Sequence, residues 1–233
     1  MSGSLSVDSK IIVALDYSNE EQAFEFVKKV NADLCKLKIG KELFTTTGPQ
    51  FVDKLVNLGF DIFLDLKFHD IPNTVMKACR AASELGVWMT NVHALGGKTM
   101  MQAAKEGVEN SSTKLIAVTI LTSMGQEDLL QIGIQNEVQN QVVNLAKLAS
   151  EAGLDGVVCS AKEVTELRKN IADDFLLVTP GIRPAGNEVS DQKRVMTPVE
   201  AISSGSSYLV IGRPITQSVD PIKTLEDITS SLS

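Results

Sequence analysis

The sequence predicts an α/β protein of one domain spanning residues 1–233, a (β/α)8 (TIM) barrel, and three observations carry that expectation. Eight short apolar, β-branched runs alternate with helical patterns along the 233 residues. The runs are continuously apolar, as are strands of a parallel sheet covered by helices. Polar residues gather where the runs end rather than where they begin, and in a barrel those ends form the C-terminal rim where active sites lie. A doubly wound open sheet is the alternative arrangement of the same units.

In chain order, strands are expected at Ile11 to Leu15, Leu34 to Ile39, Ile62 to Leu66, Val87 to Val92, Leu115 to Leu121, Gly156 to Cys159, Leu176 to Val178 and Tyr208 to Ile211. Helical patterns lie between them, as at Glu20 to Val30, Phe51 to Leu58, Met76 to Leu85 and Val138 to Ala152. A left-handed C-terminal cap fits at Leu58-Gly59, Leu85-Gly86, Ala152-Gly153 and Ser204-Gly205. The two longest connections, residues 123–137 and 181–197, follow the fifth and seventh strands; both are polar and contain glycine, as lids often do.

A net charge of −7 speaks against nucleic acid or an anionic membrane as the main partner, but leaves room for a small anion where basic residues converge. Residues 1–10 are Ser-rich and lack the apolar core of a signal peptide, so a poorly ordered tail is expected there. No apolar run approaches the ~20 residues needed to span a bilayer, and a cytoplasmic location follows as the expectation. Cys35, Cys79 and Cys159 are odd in number and free of Cys-x-x-Cys spacing, which signals buried thiols rather than disulfides or zinc.

Chemistry concentrates in Phe63 to Thr74, Phe-Leu-Asp-Leu-Lys-Phe-His-Asp-Ile-Pro-Asn-Thr. Strand alternation places Asp65 and Lys67 on one face and Leu64, Leu66 and Phe68 on the other. Asp70 then falls on the rim, and Pro72 suits the first turn of a helix whose free amides Asn73 and Thr74 could satisfy. A buried Asp-x-Lys pair can serve merely to fix strand register. A third charge on the same rim favours function, because each buried ion carries a desolvation cost of several kcal/mol. Asp16, Lys38, Asn91, His93, Thr122, Ser123, Arg183 and Arg213 also fall at strand ends.

Three stretches hint at phosphate. Gly96-Gly97-Lys98-Thr99 looks like the end of a P-loop, but Val92 stands where the motif needs glycine, so an ordinary helix start is expected. No Gly-x-Gly-x-x-Gly follows a strand, which removes the best argument for a dinucleotide. Ile211-Gly212-Arg213-Pro214 follows the last strand, where barrels often bind phosphate, and Gly181-Ile182-Arg183-Pro184 follows the strand before it. A solvent-facing arginine is the rival for each, and two such rims side by side make coincidence a poorer explanation.

The 63–74 stretch, with Val-Ala-Leu-Asp at 13–16, Lys-Leu-Lys-Ile-Gly at 36–40, Val-Thr-Pro-Gly-Ile-Arg-Pro at 178–184 and Val-Ile-Gly-Arg-Pro-Ile-Thr at 210–216, resembles the orotidine 5′-monophosphate decarboxylases of bacteria, in order from about Ile11 to Pro221. The resemblance implies decarboxylation of orotidine 5′-monophosphate to UMP, the last step of de novo UMP biosynthesis, without metal or cofactor, by a cytoplasmic homodimer with shared active sites. It implies catalytic roles for Lys38, Asp65, Lys67 and Asp70 as an alternating charge network, Lys67 as proton donor and Asp70 reaching into a partner's site. Asp16 and Lys38 match ribose contacts, and Thr122 matches a substrate contact with Ser123 a pyrimidine contact beside it. Thr74 belongs to the same substrate-binding set. Arg183, Gln192, Gly212 and Arg213 match the phosphate grip and its closing loop.

Two rivals stand against this reading. Related barrels that act on sugar phosphates through a magnesium-stabilised enediolate share Asp-x-Lys-x-x-Asp but resemble this chain with a carboxylate at position 38; a lysine there would repel the metal. A non-catalytic nucleotide sensor would need the phosphate rim but not a buried Lys-Asp-Lys array. His69 reads as a local hydrogen bonder and His93 as a weaker candidate, while Trp88, Met100 and Met101 read as packing.

Overall fold

The structure is a computed structural model that describes residues 8–184 and 196–232. Eight apolar runs form the parallel strands β1 (Ile11–Ala14), β2 (Lys36–Gly40), β3 (Ile62–Phe68), β4 (Met89–His93), β5 (Lys114–Val118), β6 (Gly156–Val158), β7 (Leu176–Thr179) and β8 (Tyr208–Ile211). They pair in sequence order and close, Ile11 lying opposite Leu209 and Val13 opposite Ile211. That closure excludes the doubly wound alternative.

Around the barrel run α1 (Glu20–Val27), α2 (Lys41–Thr47), α3 (Pro49–Asn57), α4 (Pro72–Glu84), α5 (Gly97–Val108), α6 (Gln126–Gln131), α7 (Val138–Glu151), α8 (Val164–Arg168), α9 (Pro198–Ser203), α10 (Arg213–Thr216) and α11 (Pro221–Ser231). Proline opens α3, α4, α9 and α11 at a position where its missing N–H leaves no bond unmade. Gly59, Gly86, Gly153 and Gly205 all take positive φ after their helices, as the expected caps require. Gly97 and Lys98 start α5, an ordinary helix. The connection after β5, expected as a plain long loop, contains α6.

Period-two alternation sorts the strand side chains. Outward residues such as Val13, Leu37, Ile39, Leu64, Leu209 and Ile211 pack under one group of helices, and Val92, Leu115, Ala117, Val157 and Leu177 under another. Inward residues Ile12, Phe63, Met89, Ile116, Val178 and Val210 fill the barrel itself. Met100 and Met101 are buried in the helix layer.

The N-terminal end of the barrel is plugged by a polar and aromatic cluster. Lys36, inward at the start of β2, pairs with Asp8 at 2.9 Å and Asp61 at 2.7 Å, and its ammonium sits 4.6 Å from the centre of the Trp88 ring. The Tyr208 hydroxyl donates to Asp8 Oδ2 at 2.7 Å and its ring meets Trp88 edge-on at 5.0 Å. Of the stretch expected to form a tail, residues 1–7 lie outside the described residues, while Asp8 and Ser9 are held, Ser9 Oγ donating to the Leu34 carbonyl at 2.6 Å.

No helix among the described residues is long and apolar enough to cross a membrane. The three cysteines are free and buried, and burial pushes the thiols of Cys35 and Cys79 up to about 12.

Candidate active site

The barrel interior turns from apolar to charged one step above its central layer. Lys38 follows Lys36 on the inward face of β2, Asp65 follows Phe63 on that of β3, and Asn91 follows Met89 on that of β4. Beyond Asp65 the β3–β4 ladder jumps: Leu64 pairs with Thr90 and Phe68 with Val92, so residues 65–67 stand opposite Asn91 alone. This is a bulge in β3. Lys67 absorbs the extra length with φ 54°, the one positive φ outside glycine among the described residues. Simple alternation therefore placed Lys67 on the correct side for an incomplete reason; it reaches the site through the bulge.

The charges form a row. Lys67 Nζ lies 2.6 Å from Asp65 Oδ1, Lys38 Nζ lies 3.4 Å from Asp65 Oδ2 and 3.6 Å from Asp16 Oδ1. Asn91 Nδ2 also donates to Asp65 Oδ1, at 2.7 Å. Burial alone would push the Asp65 carboxyl up, but Lys38, Lys67 and the hydrogen bonds from Lys67 and Asn91 outweigh it and hold the group below its ordinary range. Asp65 is thus a buried anion wedged between two cations.

A cavity of about 270 Å³ opens over this row. Asp16, Lys38, Asp65 and Lys67 line it from one side, and Thr122, Gly181, Arg183, Gly212 and Arg213 from the β5, β7 and β8 ends. A second cavity of about 210 Å³ adjoins it between the ends of β1 and β2, sharing Asp16, Lys38, Asp65 and Lys67. Gly212 lies close under Asp16: a Cβ there would stand 3.1 Å from Asp16 Oδ2 and 3.4 Å from Ala14 Cβ, so the Asp16 carboxylate would have to shift by a few tenths of an ångström.

The structure thus brings together Asp16, Lys38, Asp65, Lys67, Thr122, Arg183, Gly212 and Arg213. Ser123 does not join them; the chain turns sharply there, Met124 N–H donating to the Leu121 carbonyl at 2.8 Å, and Ser123 is exposed outside the lining. Gln192 lies outside the described residues. Asp70 and Thr74 are exposed on the rim and first turn of α4 and line neither cavity. Asp70 Oδ1 accepts the Ile71 N–H at 2.6 Å and the side chain makes no ion pair among the described residues.

The capping expected of Asn73 and Thr74 does not occur. The cap position precedes Pro72 and is Ile71, which has no side-chain acceptor; the Ile71 carbonyl takes the Thr74 and Val75 N–H groups at 3.0 and 3.2 Å. His69 and His93 meet with ring centres 5.6 Å apart. Burial, then His69, Lys41 and Lys67, push His93 down against the opposing pull of Asp65.

Asn91 is the residue that sequence reasoning placed at a strand end without giving it work. It is fully buried and contacts both Asp65 and Lys67. The available signal was a primary amide two residues after an inward methionine, in register with the charged strand.

Fold and site define a (β/α)8-barrel enzyme whose cavity sets a carboxylate between two ammonium groups on one side and two guanidinium groups on the other. A profile of the orotidine 5′-phosphate decarboxylase / HUMPS family matches residues 9–228. An orotidine 5′-phosphate decarboxylase of Hydrogenovibrio crunogenus is 57% identical, the match covering 100% of this chain and 99% of the relative. One from Pseudoalteromonas translucida is 56% identical over 96% of this chain and 97% of its own. The crystal structure of the orotidine 5′-phosphate decarboxylase from Lactobacillus acidophilus superposes with a TM-score of 0.87 at 44% identity, covering 97% of this chain and 100% of that one. The chain belongs to the orotidine 5′-phosphate decarboxylase / HUMPS family.

Proposed function

We propose that this chain decarboxylates orotidine 5′-monophosphate to UMP and carbon dioxide, a step of pyrimidine biosynthesis, and that Lys67 is the group that stabilises and then protonates C6. The observation that carries this is the Lys38–Asp65–Lys67 row, with Asp65 held anionic, beneath a cavity that also presents Arg183 and Arg213.

Loss of carbon dioxide from C6 leaves a carbanion in the plane of the ring, where the π system cannot delocalise it. A fixed ammonium beside C6 supplies the missing stabilisation and needs no reorganisation as charge develops. The C6–carboxylate bond breaks with its electron pair staying on C6, and that pair takes a proton from Lys67 Nζ to give UMP. Asp65 fixes the ammonium from 2.6 Å away, and Lys38 balances the second carboxylate oxygen. In this reading Asp16, Lys38 and Thr122 hold the ribose and ring, and Arg183, Gly212 and Arg213 hold the phosphate, all of them lining the one cavity. Phosphate binding energy, gained far from C6, serves to close the site and orient the reacting carbon.

The donor set suits chemistry without a metal. A divalent cation at Asp65 would meet ammonium groups on both sides, Lys38 at 3.4 Å and Lys67 at 2.6 Å. The reaction consumes and releases charged nucleotides, which fits a cytoplasmic enzyme.

The working unit in this reading is a homodimer whose sites are shared across the two-fold axis. Asp70 and Thr74 are exposed on the rim and stand outside both cavities of their own chain, where a second chain could use them.

Incubation with orotidine 5′-monophosphate and a chelator, followed by the loss of orotate absorbance, tests the assignment. Steady turnover in chelator supports it. Saturable binding without turnover would point to a sensor, and turnover only after magnesium is added would point to the enediolate chemistry.

A further inference from the structure

We propose that Asn91 is a positioning residue for the decarboxylation: its amide clamps the β3 bulge so that the Lys67 ammonium stays over the reacting carbon. The proposal rests on the role given to Lys67 above and adds how that role is held in place.

The bulge removes ladder partners where they are most needed. With the register jumping from Leu64–Thr90 to Phe68–Val92, the Lys67 N–H has no strand carbonyl assigned to it. Asn91 Oδ1 accepts it at 2.8 Å, and Asn91 Nδ2 donates to Asp65 Oδ1 at 2.7 Å. The same Asp65 oxygen accepts from Lys67 Nζ at 2.6 Å. A closed ring results, running from the Lys67 backbone through Asn91 and Asp65 to the Lys67 head group. The backbone end of Lys67 is tied to the buried amide directly and its head group through Asp65.

Three features make the clamp specific. The amide can be oriented only one way, because the reverse would set an NH2 group against an N–H and a carbonyl oxygen against a carboxylate. Asn91 is fully buried, so water does not supply the two bonds in its place. Lys67 sits at φ 54°, a conformation lysine rarely adopts, and it persists only where its surroundings impose it. A residue that merely filled the core would be replaceable by one of equal volume.

Asn91→Leu keeps the branched heavy-atom shape, with somewhat more bulk, and removes both hydrogen bonds, while Asn91→Ala removes the branch as well. In variants that melt cooperatively, kcat should fall by about tenfold or more while the affinity for UMP stays within about threefold, since the ribose and phosphate groups are untouched. Should Asn91→Ala fail to fold, Asn91→Leu carries the test. A smaller fall in kcat, or an equal loss of kcat and UMP affinity, overturns the proposal. Lys67→Ala assayed alongside separates the two ideas. If Lys67→Ala is inactive and Asn91→Leu is fully active, only the clamp is wrong; if Lys67→Ala turns over normally, the role of Lys67 is wrong and the clamp falls with it.

Discussion

Lys67 shows what one residue in this chain is asked to do. Its backbone is in the left-handed region, its amide is held by Asn91 and its ammonium by Asp65. Lys67→Ala removes the cation but none of the groups placed for ribose or phosphate. Turnover should therefore be nearly abolished while UMP, measured by titration, still binds. Turnover within tenfold of the unmodified protein, only about 1.4 kcal/mol of barrier, would refute the assigned role. The charges were legible because Asp65 and Lys67 interrupt an apolar strand, and a buried ion in such a place demands an explanation. Asn91 was not, because a neutral amide at a strand end is indistinguishable in sequence from one facing water. The bulge was equally hidden: nothing in Leu-Asp-Leu-Lys-Phe distinguishes an unbroken strand from one that gains two residues on its neighbour.

At the scale of elements, α4, which begins just after Asp70, packs closely on α5. Gly107 of α5 makes the approach possible. A Cβ there would stand 2.3 Å from the Met76 carbonyl oxygen and 3.3 Å from the Arg80 backbone nitrogen, so the two helices would have to separate. Helix propensity alone would make Gly107→Ala stabilising by about 1 kcal/mol. Overpacking should win, with a destabilisation of about 1–3 kcal/mol seen as a lower Tm in a thermal melt. An unchanged or raised Tm would show that the helices have room. Sequence periodicity marked α4, and α5 was expected only from its start at residues 96–99, but neither reading could find the crossing, because a glycine inside a helix reads the same whether it is tolerated or required. The strands were easier: continuous apolar runs marked all eight, with errors confined to one to three residues at their ends. α6 escaped because Gln126–Gln131 is short and mostly polar, with only Leu129 buried in the core.

For the whole molecule, closure was the step that the sequence left open, because a parallel sheet of eight units reads alike in a barrel and in an open sheet until β1 meets β8. The plug of Asp8, Lys36, Asp61, Trp88 and Tyr208 holds the closed end, and it should be sensitive to alkali. Burial first, then Asp8 and Asp61, push the Tyr208 hydroxyl above its ordinary value of 10.0. Burial pulls Lys36 down, but its bonds to Asp61 and Asp8 outweigh that and raise it above 10.5. Both folded values exceed the unfolded ones, so the stability they contribute is full below about pH 10 and is lost as pH rises further. Tm should fall steeply there, and Tyr208→Phe should flatten the fall while costing about 1.5 kcal/mol at neutral pH through the lost bond to a charged acceptor. An equal slope in both proteins would remove Tyr208 from the explanation.

The opposite end of the barrel raises the question of how many chains make one site. Asp70 lies past the end of β3, exposed, with no ion pair among the described residues and outside the cavity that its own Lys67 lines. If two chains meet isologously over this rim, each site takes Lys67 from one chain and Asp70 from the other. Lys67→Ala and Asp70→Ala proteins, each inactive alone, would then complement. A hybrid dimer has one site with both defects and one with neither. With free exchange at equal amounts, half the dimers are hybrids, and half of their sites are intact, so about one quarter of the unmodified activity should return. Subunit exchange can be followed independently with two tags on the two variants. If tagged chains exchange and no activity returns, Asp70 acts within its own chain and the sites are not shared.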